Sequence, residues 1–456
     1  MIADLKPYPE YKDSGSRWLE SVPQSWDVQP LCRLTRFKSE RNRSDLELLS
    51  VYLDRGVIRY SESGGQVHKP SLDLSAYQVV DPGDLVMNNQ QAWRGSVGVS
   101  RYQGIISPAY VVLALSKDLC TGYSNALFRS PAMVAQNVVA SRGVGDIQRN
   151  LYYPDLRRTL VPLPPPAEQA AIVRFLDHWN GRLEKAIRSK RRVIALLQEQ
   201  KQAIIHRAVT RGLDRKVKLK DSGIPWLGGI PAHWEVRRAK YLFREVDERS
   251  KYGEEELLSV SHLTGVTPRS HKNITMFKAE SYDGHKLCRP GDLVVNTMWA
   301  WMGAMGVSEY TGIISPAYAV YRSCSDDFVG PYIDNLLRTQ PYIANIICRS
   351  TGLRASRLRL YPDEFFRLPL ILPPVEEQRA ILDSIAAETH VFTTAITGLE
   401  REITLLREYR TRLTADVVTG KLDVRAAAAQ LPGQAKDEPL PDPEIHEEES
   451  ELEEIG

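Results

Sequence analysis

Gly104-Ile105-Ile106-Ser107-Pro108-Ala109-Tyr110 occurs twice in this chain, returning letter for letter as Gly312 to Tyr318. Other matches recur at about the same offset. Gly83-Asp84-Leu85-Val86-Met87-Asn88 faces Gly291-Asp292-Leu293-Val294-Val295-Asn296, and Asp13-Ser14-Gly15 faces Asp221-Ser222-Gly223. One half of the protein therefore repeats the other, and a fold must be sought for one half and then doubled.

Each half changes texture partway along. From about Trp18 to Leu163, strand-like runs such as Leu48 to Leu53, Gln78 to Val80 and Ala109 to Leu113 alternate with turn pairs such as Pro82-Gly83 and Gly64-Gly65, while Leu127 to Ala140 reads as helix. An α+β domain with a small curled sheet is expected. Pro162-Leu163-Pro164-Pro165-Pro166 ends it with an extended segment that cannot continue a helix or pair as a central strand. Apolar residues then fall at Ile172, Leu176, Trp179, Leu183, Ile187, Ile194, Leu197, Ile204 and Ala208, spaced as a coiled-coil seam interrupted by Lys190 and Lys201. The second half restarts at Trp226 and repeats this order. Its seam runs through Ile381, Ile385, Phe392, Ile396, Leu399, Ile403, Leu406, Leu413 and Val417.

Domain bounds follow: a globular domain over 1–163, a long helix over 164–214, a second globular domain over 215–371, a second long helix over 372–424, and an acidic tail over 425–456 expected to be disordered. Each apolar stripe must be buried, and the duplicate helix is its nearest partner. Antiparallel pairing would space the globular domains along a rod of roughly 60 Å. That geometry suits contact with two separated places on a linear polymer, as half-site spacing on DNA is set by protein geometry.

Composition agrees with a globular chain: 43% hydrophobic and 25% charged. Neither a membrane span nor a signal peptide is indicated, so the cytoplasm is the expected location. Five scattered cysteines read as reduced thiols. From Gly433 to Gly456 ten acidic residues stand against Lys436; removing this tail of −9 from the total of +2 leaves +11 on the other 432 residues. A basic body suits a polyanionic partner or is simply a solvated surface.

Tyr8-Pro9-Glu10-Tyr11-Lys12-Asp13-Ser14-Gly15, the pair Trp18 and Trp26 around Pro23, the counterparts Trp226 and Trp234 around Pro231, and Pro-Pro-x-x-Glu-Gln before each long helix carry a resemblance over Tyr8 to about Asp423. The chain resembles the specificity (S) subunit of Type I restriction-modification systems. The resemblance implies two tandem target-recognition domains reading a bipartite double-stranded DNA target. It also implies helices that set the spacer and dock two methyltransferase (M) subunits, with restriction (R) subunits possible. It implies no cofactor on this chain, with S-adenosylmethionine, and ATP with Mg for restriction, on partner subunits. The family pattern does not require the acidic tail.

Residue chemistry points the same way. There is no G-x-x-x-x-G-K-[ST] loop and no Asn/Asp-Pro-Pro-Tyr/Phe segment of adenine methyltransferases. A nuclease set drawn from Asp155, Glu199 and Lys201 places Glu199 and Lys201 mid-helix, so no catalytic residue and no metal ligand is assigned. A non-catalytic coiled-coil scaffold is the alternative reading, and a free-standing nuclease a third.

Candidate DNA-binding residues come from two loops. The first reads Asn88-Asn89-Gln90-Gln91-Ala92-Trp93-Arg94-Gly95 in one copy and Asn296-Thr297-Met298-Trp299-Ala300-Trp301-Met302-Gly303 in the other. Asn and Gln can hold adenine N6/N7 and Arg guanine O6/N7, which nominates Asn88, Gln90, Gln91, Arg94 and Asn296. Trp93 and Trp301, matched across the copies, pack in the core or stack on bases, while Met298, Trp299 and Met302 make the second loop apolar, suited to a thymine methyl or simply to packing. The second loop offers Arg142 and Arg149, facing Arg349, Arg354 and Arg357, for phosphates or base edges. An ordinary exposed basic loop is its other reading. Lys190-Arg191-Arg192 on the first helix faces DNA, an M subunit or solvent alone. Ser107 and Ser315 are expected to shape a strand entry.

Overall fold

The computed structural model describes residues 5–62, 70–144, 148–271, 281–352 and 358–432. The elements used below, in chain order, are β1 (Thr35–Lys38), β2 (Asp84–Asn88), β3 (Val97–Val99), β4 (Tyr110–Leu115), α1 (Thr121–Phe128), α2 (Pro131–Val139), β5 (Ser141–Val144), β6 (Gln148–Leu151) and α3 (Pro166–Arg211). There follow β7 (Phe243–Val246), β8 (Leu293–Val295), β9 (Met305–Val307), β10 (Ala319–Ser323), α4 (Gly330–Leu337), α5 (Gln340–Arg349), α6 (Val375–Val418) and α7 (Arg425–Ala429). Two compact units result. Of the described residues, unit 1 holds those within Met1–Lys190 and Arg401–Asp442, and unit 2 those within Arg191–Glu400.

Unit 1 is built on an antiparallel sheet in the order β1-β4-β2-β3. Successive side chains of a strand face opposite ways, and both faces here are covered. Leu85, Met87, Leu113, Val97 and Val99 join the core formed with α1, α2 and the long helices. Val86 and Val112 join a second core with Leu49, Val51, Val57, Val80 and Ile106. Such double cover is why Leu85-Val86-Met87 reads as a continuous apolar run rather than an alternating one. Unit 2 repeats the plan with the sheet β7-β10-β8-β9. Leu293, Val295 and Tyr321 face one core and Val294 and Val320 the other.

The repeated heptapeptide sits inside this plan. Ile105, Ile106, Ile313 and Ile314 are fully buried. A Cβ on Gly104 would lie 2.5 Å from the carbonyl oxygen of Glu47, and one on Gly312 2.3 Å from that of Glu256, so only glycine admits the neighbouring chain. The Ser107 hydroxyl accepts the Ala109 N–H at 3.3 Å, and Ser315 accepts that of Ala317 at the same distance, forming the turns into β4 and β10.

The Glu-Gln pair before each long helix joins helix to domain. In unit 1 the Gln169 side-chain carbonyl accepts the Cys120 N–H at 2.8 Å while its amide donates to the carbonyls of Asp118 and Pro164. In unit 2 Gln378 accepts the Val329 N–H at 2.8 Å and donates to Asp327 and Pro373. The buried Glu168 carboxylate accepts the Trp26 indole N–H at 2.9 Å and the Tyr8 hydroxyl. Glu377 accepts the Trp234 indole N–H at 3.1 Å. The Tyr123 hydroxyl donates to the Val418 carbonyl at 3.1 Å, fixing the end of α6 in unit 1. Tyr332 does the same for Val209 at the end of α3 in unit 2, at 2.9 Å. Gly212 and Gly420, at φ +73 and +79, close the two helices as left-handed caps.

Within each unit the segments of α3 and α6 run antiparallel. Glu184 accepts from Arg410 at 2.8 Å and Lys190 pairs with Glu402 in unit 1; Lys201 donates to Thr393 at 3.1 Å in unit 2. The two lysines that interrupt the first seam thus meet polar partners on the opposite helix.

Two expectations are corrected. The single helix expected over Leu127 to Ala140 is two, because Pro131 lacks an N–H and starts α2 as its first residue. The tail expected to be disordered from 425 begins with α7, whose Ala428 is buried together with Leu431. The remainder of the tail, from 433, lies outside the described residues. All five cysteines are free, and burial pushes the Cys288 thiol up to about 11. No helix among the described residues is long and apolar enough to cross a membrane.

Candidate nucleic-acid interface

The loop after β2 folds on itself before it can offer anything outward. Asn88 Oδ1 accepts the Gln90 N–H at 3.1 Å, and Asn88 Nδ2 donates to the Tyr110 hydroxyl at 3.3 Å. The Trp93 indole N–H donates to the Gln90 carbonyl at 2.9 Å. Ala92 is fully buried, and Gly95 closes the turn at φ +106. After β8 the same connections recur: Asn296 Oδ1 accepts the Met298 N–H at 3.2 Å, Trp301 donates to the Met298 carbonyl at 2.9 Å, Ala300 is fully buried, and Gly303 has φ +89. Asn88, Asn296, Trp93 and Trp301 are the same in both copies because they hold one loop conformation.

What differs is what projects. In unit 1 Gln90 and Arg94 are exposed and Gln91 is half-buried. The guanidinium of Arg94 lies 5.5 Å from the Trp93 ring centre and that of Arg149 5.3 Å from it, so one indole gathers two cations by its π face. In unit 2 Met298 and Met302 replace Gln90 and Arg94. Trp299 stacks on Trp301 with centroids 6.0 Å apart and planes 18° from parallel. One loop is cationic and amide-rich and the other aromatic and apolar, on one backbone design.

The second pair of segments borders the first. β5 pairs with β6, setting Arg142 opposite Asn150, and the Leu151 N–H donates to the Asn89 carbonyl at 2.9 Å. The Arg142 guanidinium donates to Asp155 at 2.8 Å and covers the Tyr152 ring at 3.7 Å. Asp155 is therefore engaged in an ion pair. Arg349, on α5, donates to Asn345 at 2.7 Å and to Glu364 at 3.2 Å. Arg354 and Arg357 lie outside the described residues.

The structure thus gathers Gln90, Gln91, Trp93, Arg94 and Arg149 in unit 1, with Arg142 on the adjoining hairpin. In unit 2 it gathers Asn296, Trp299 and Trp301, with Arg349 held by side chains of its own. Sequence reasoning passed over Tyr152 and Tyr361, 40% and 50% exposed. Their signal was present, since each follows a buried leucine (Leu151, Leu360) at matching places in the repeat. Among the described residues no group of three or more His, Cys, Asp and Glu side chains is placed to hold a metal ion.

No protein-family model matches this sequence. Among solved structures the chain is similar to one from a structure described as the basis of complex assembly and conformational transition of the type I R-M system. That match has 16% identity and a TM-score of 0.58, and covers 88% of this chain and 99% of the other. It is also similar to the HsdS subunit from Thermoanaerobacter tengcongensis, with 17% identity, a TM-score of 0.38 and coverage of 88% and 98%. A third match is the S subunit of a Type-I restriction-modification system from M. genitalium, with 12% identity, a TM-score of 0.32 and coverage of 86% and 96%. At these identities the likeness is one of fold, and the first match carries it along nearly the whole of both chains.

Proposed function

We propose that this chain is the DNA sequence-specificity subunit of a Type I restriction-modification complex, each unit reading one half of a bipartite target. The observation that carries the reading is the duplicated loop, folded by identical residues and displaying different ones. A protein that must read two different half-sites needs that combination.

The chemistry of recognition follows from what projects. Arg94 and the Gln90 and Gln91 amides supply donors suited to purine N7 and O6 edges in a major groove. Arg149 and the chain's basic body supply phosphate attraction, which positions without specifying. Trp299, Met298 and Met302 suit apolar contact, as with a thymine methyl. The paired long helices set the spacer and dock two M subunits and, where present, R subunits. The chain itself carries no catalytic step. Methyl transfer to adenine from S-adenosylmethionine belongs to the M partner, and ATP with Mg to restriction.

Exchanging residues 18–163 for the equivalent domain of another S subunit tests this. The expected product, in complex with its M partner, methylates a target with one half changed and the other retained. Binding of the assembled complex to DNA should weaken steeply with salt. A protein-interaction scaffold would show neither effect.

A further inference from the structure

Each unit carries a second loop that is held alike and displays different side chains. Strands Leu49–Tyr52 and Gly56–Arg59 pair in unit 1, and Leu258–Ser261 and Gly265–Pro268 in unit 2. Both hairpins turn through three residues onto a glycine in the left-handed region: Leu53-Asp54-Arg55 onto Gly56 at φ +71, and His262-Leu263-Thr264 onto Gly265 at φ +66. One arginine clamps each turn. Arg129, at the end of α1, donates to the carbonyls of Leu53, at 3.1 Å, and Asp54. Arg338, at the end of α4, donates to those of His262 and Leu263, the latter at 2.9 Å.

Both hairpins adjoin the loop already described. The Ser96 hydroxyl, one residue past Gly95, donates to the Val51 carbonyl at 3.0 Å. A Cβ on Gly98 of β3 would lie 3.0 Å from the Val57 nitrogen, and one on Gly306 of β9 3.2 Å from the Val266 nitrogen, so each hairpin rests on the strand that leaves the loop. Tyr110, which accepts from Asn88, packs on the core that holds Val51 and Val57, and Tyr318 packs on that of Val260 and Val266. Each tip also shares the chemistry of the loop beside it. In unit 1 the Arg55 guanidinium lies 4.7 Å from the Tyr52 ring centre, as Arg94 lies over Trp93, and donates to the Glu62 carbonyl at 3.1 Å. In unit 2 the tip carries Leu263, 72% exposed, beside a loop that bears Met298, Trp299 and Met302.

Resting on the function proposed above, we propose that the hairpin tips are a second reading element of each unit, beside the loops after β2 and β8. Arg55 and Asp54 take a G·C pair in one half-site, and Leu263 takes a thymine in the other. Arginine pairs with guanine O6 and N7, a carboxylate accepts from cytosine N4, and an apolar side chain meets the thymine methyl. Asp54 favours base edges over the backbone, since a phosphate repels it. A two-stranded ribbon is narrow enough to enter a major groove. With its carbonyls clamped, each tip has little conformational freedom left to lose on binding.

Competition binding by the full chain in complex with its M partner, on duplexes that vary one base pair at a time, decides the matter. Arg55→Ala should lower discrimination about tenfold at one position of one half-site, a position that Arg94→Ala leaves unmoved. Arg55→Lys keeps the charge but loses the planar fork, and should relax the same position. Leu263→Ser should relax a thymine in the other half-site severalfold. Arg55 and Leu263 are exposed, so these variants keep the fold. No change at any position, or a loss spread evenly over all of them, would overturn the proposal, for the tips would then touch phosphates or nothing. Exchange of residues 18–163 separates this reading from the one it rests on. If the exchange moves one half-site while the tip variants move no position, the specificity role stands and the tips have no part in it; if it moves neither half, both readings fall.

Discussion

Glu168 holds together more of unit 1 than a first-turn glutamate ordinarily does. Its buried carboxylate receives the indole of Trp26 and the hydroxyl of Tyr8, groups far from it in the chain. Glu168→Ala would strand both donors in the core and cost about 3 kcal/mol. In a calorimetric melt this should lower the transition assigned to unit 1 by roughly 6–12 °C. At the interface, Arg94→Ala should lower discrimination at one base of one half-site by about 1–3 kcal/mol and leave the other half-site unchanged. Competition binding with single-base variants checks it, and equal loss at both halves would mean damage to folding.

Asp334 shows how the repeat can guide a pH experiment. Burial raises its carboxyl above the usual range, whereas the matching residue in unit 1 is Asn125, whose side-chain oxygen accepts the Val99 N–H at 3.1 Å. A raised folded-state value means that the native state binds the proton more tightly than the unfolded chain does. Stability is then lost as pH rises from the unfolded carboxylate value through the folded one. Asp334→Asn should therefore stabilise unit 2 above that window and have no effect below it, as read from urea midpoints measured across pH. A gain at every pH would contradict the assignment.

At the scale of elements, what was legible in the sequence was whatever packing dictates twice. The seams of α3 and α6, the strand cores and the Glu-Gln joints recur at nearly one offset, because both units bury equivalent surfaces. The interface was legible only in part, for a chemical reason. An asparagine oxygen that can accept from adenine can equally accept the backbone N–H two residues on, and in Asn88 and Asn296 it does the latter. Helix α7 was hidden because Arg425-Ala426-Ala427-Ala428-Ala429 has no apolar periodicity and leads into an acidic run; its tertiary contacts, not its pattern, order it. Polar residues at seam positions of paired helices commonly fix register at a cost in stability, and Lys201 holds such a position in α3. Lys201→Leu should raise the unit 2 transition while weakening the preference for a single helix register, which disulfide trapping between cysteines introduced across α3 and α6 can count.

At the scale of the molecule, the chain holds two units of one design, and both long helices contribute a segment to each unit; on the proposed function, the loops read bases and the helices set the spacing. Lengthening α3 and α6 by matched insertions should widen the gap between half-sites without altering either half. The central claim is most directly tested by sequencing modified bases in the DNA of cells that carry this chain with its M partner. Methylated adenines are expected within a motif of two short blocks separated by a fixed unspecified gap, lost when this chain is deleted. A contiguous motif, or one that survives the deletion, would contradict that claim.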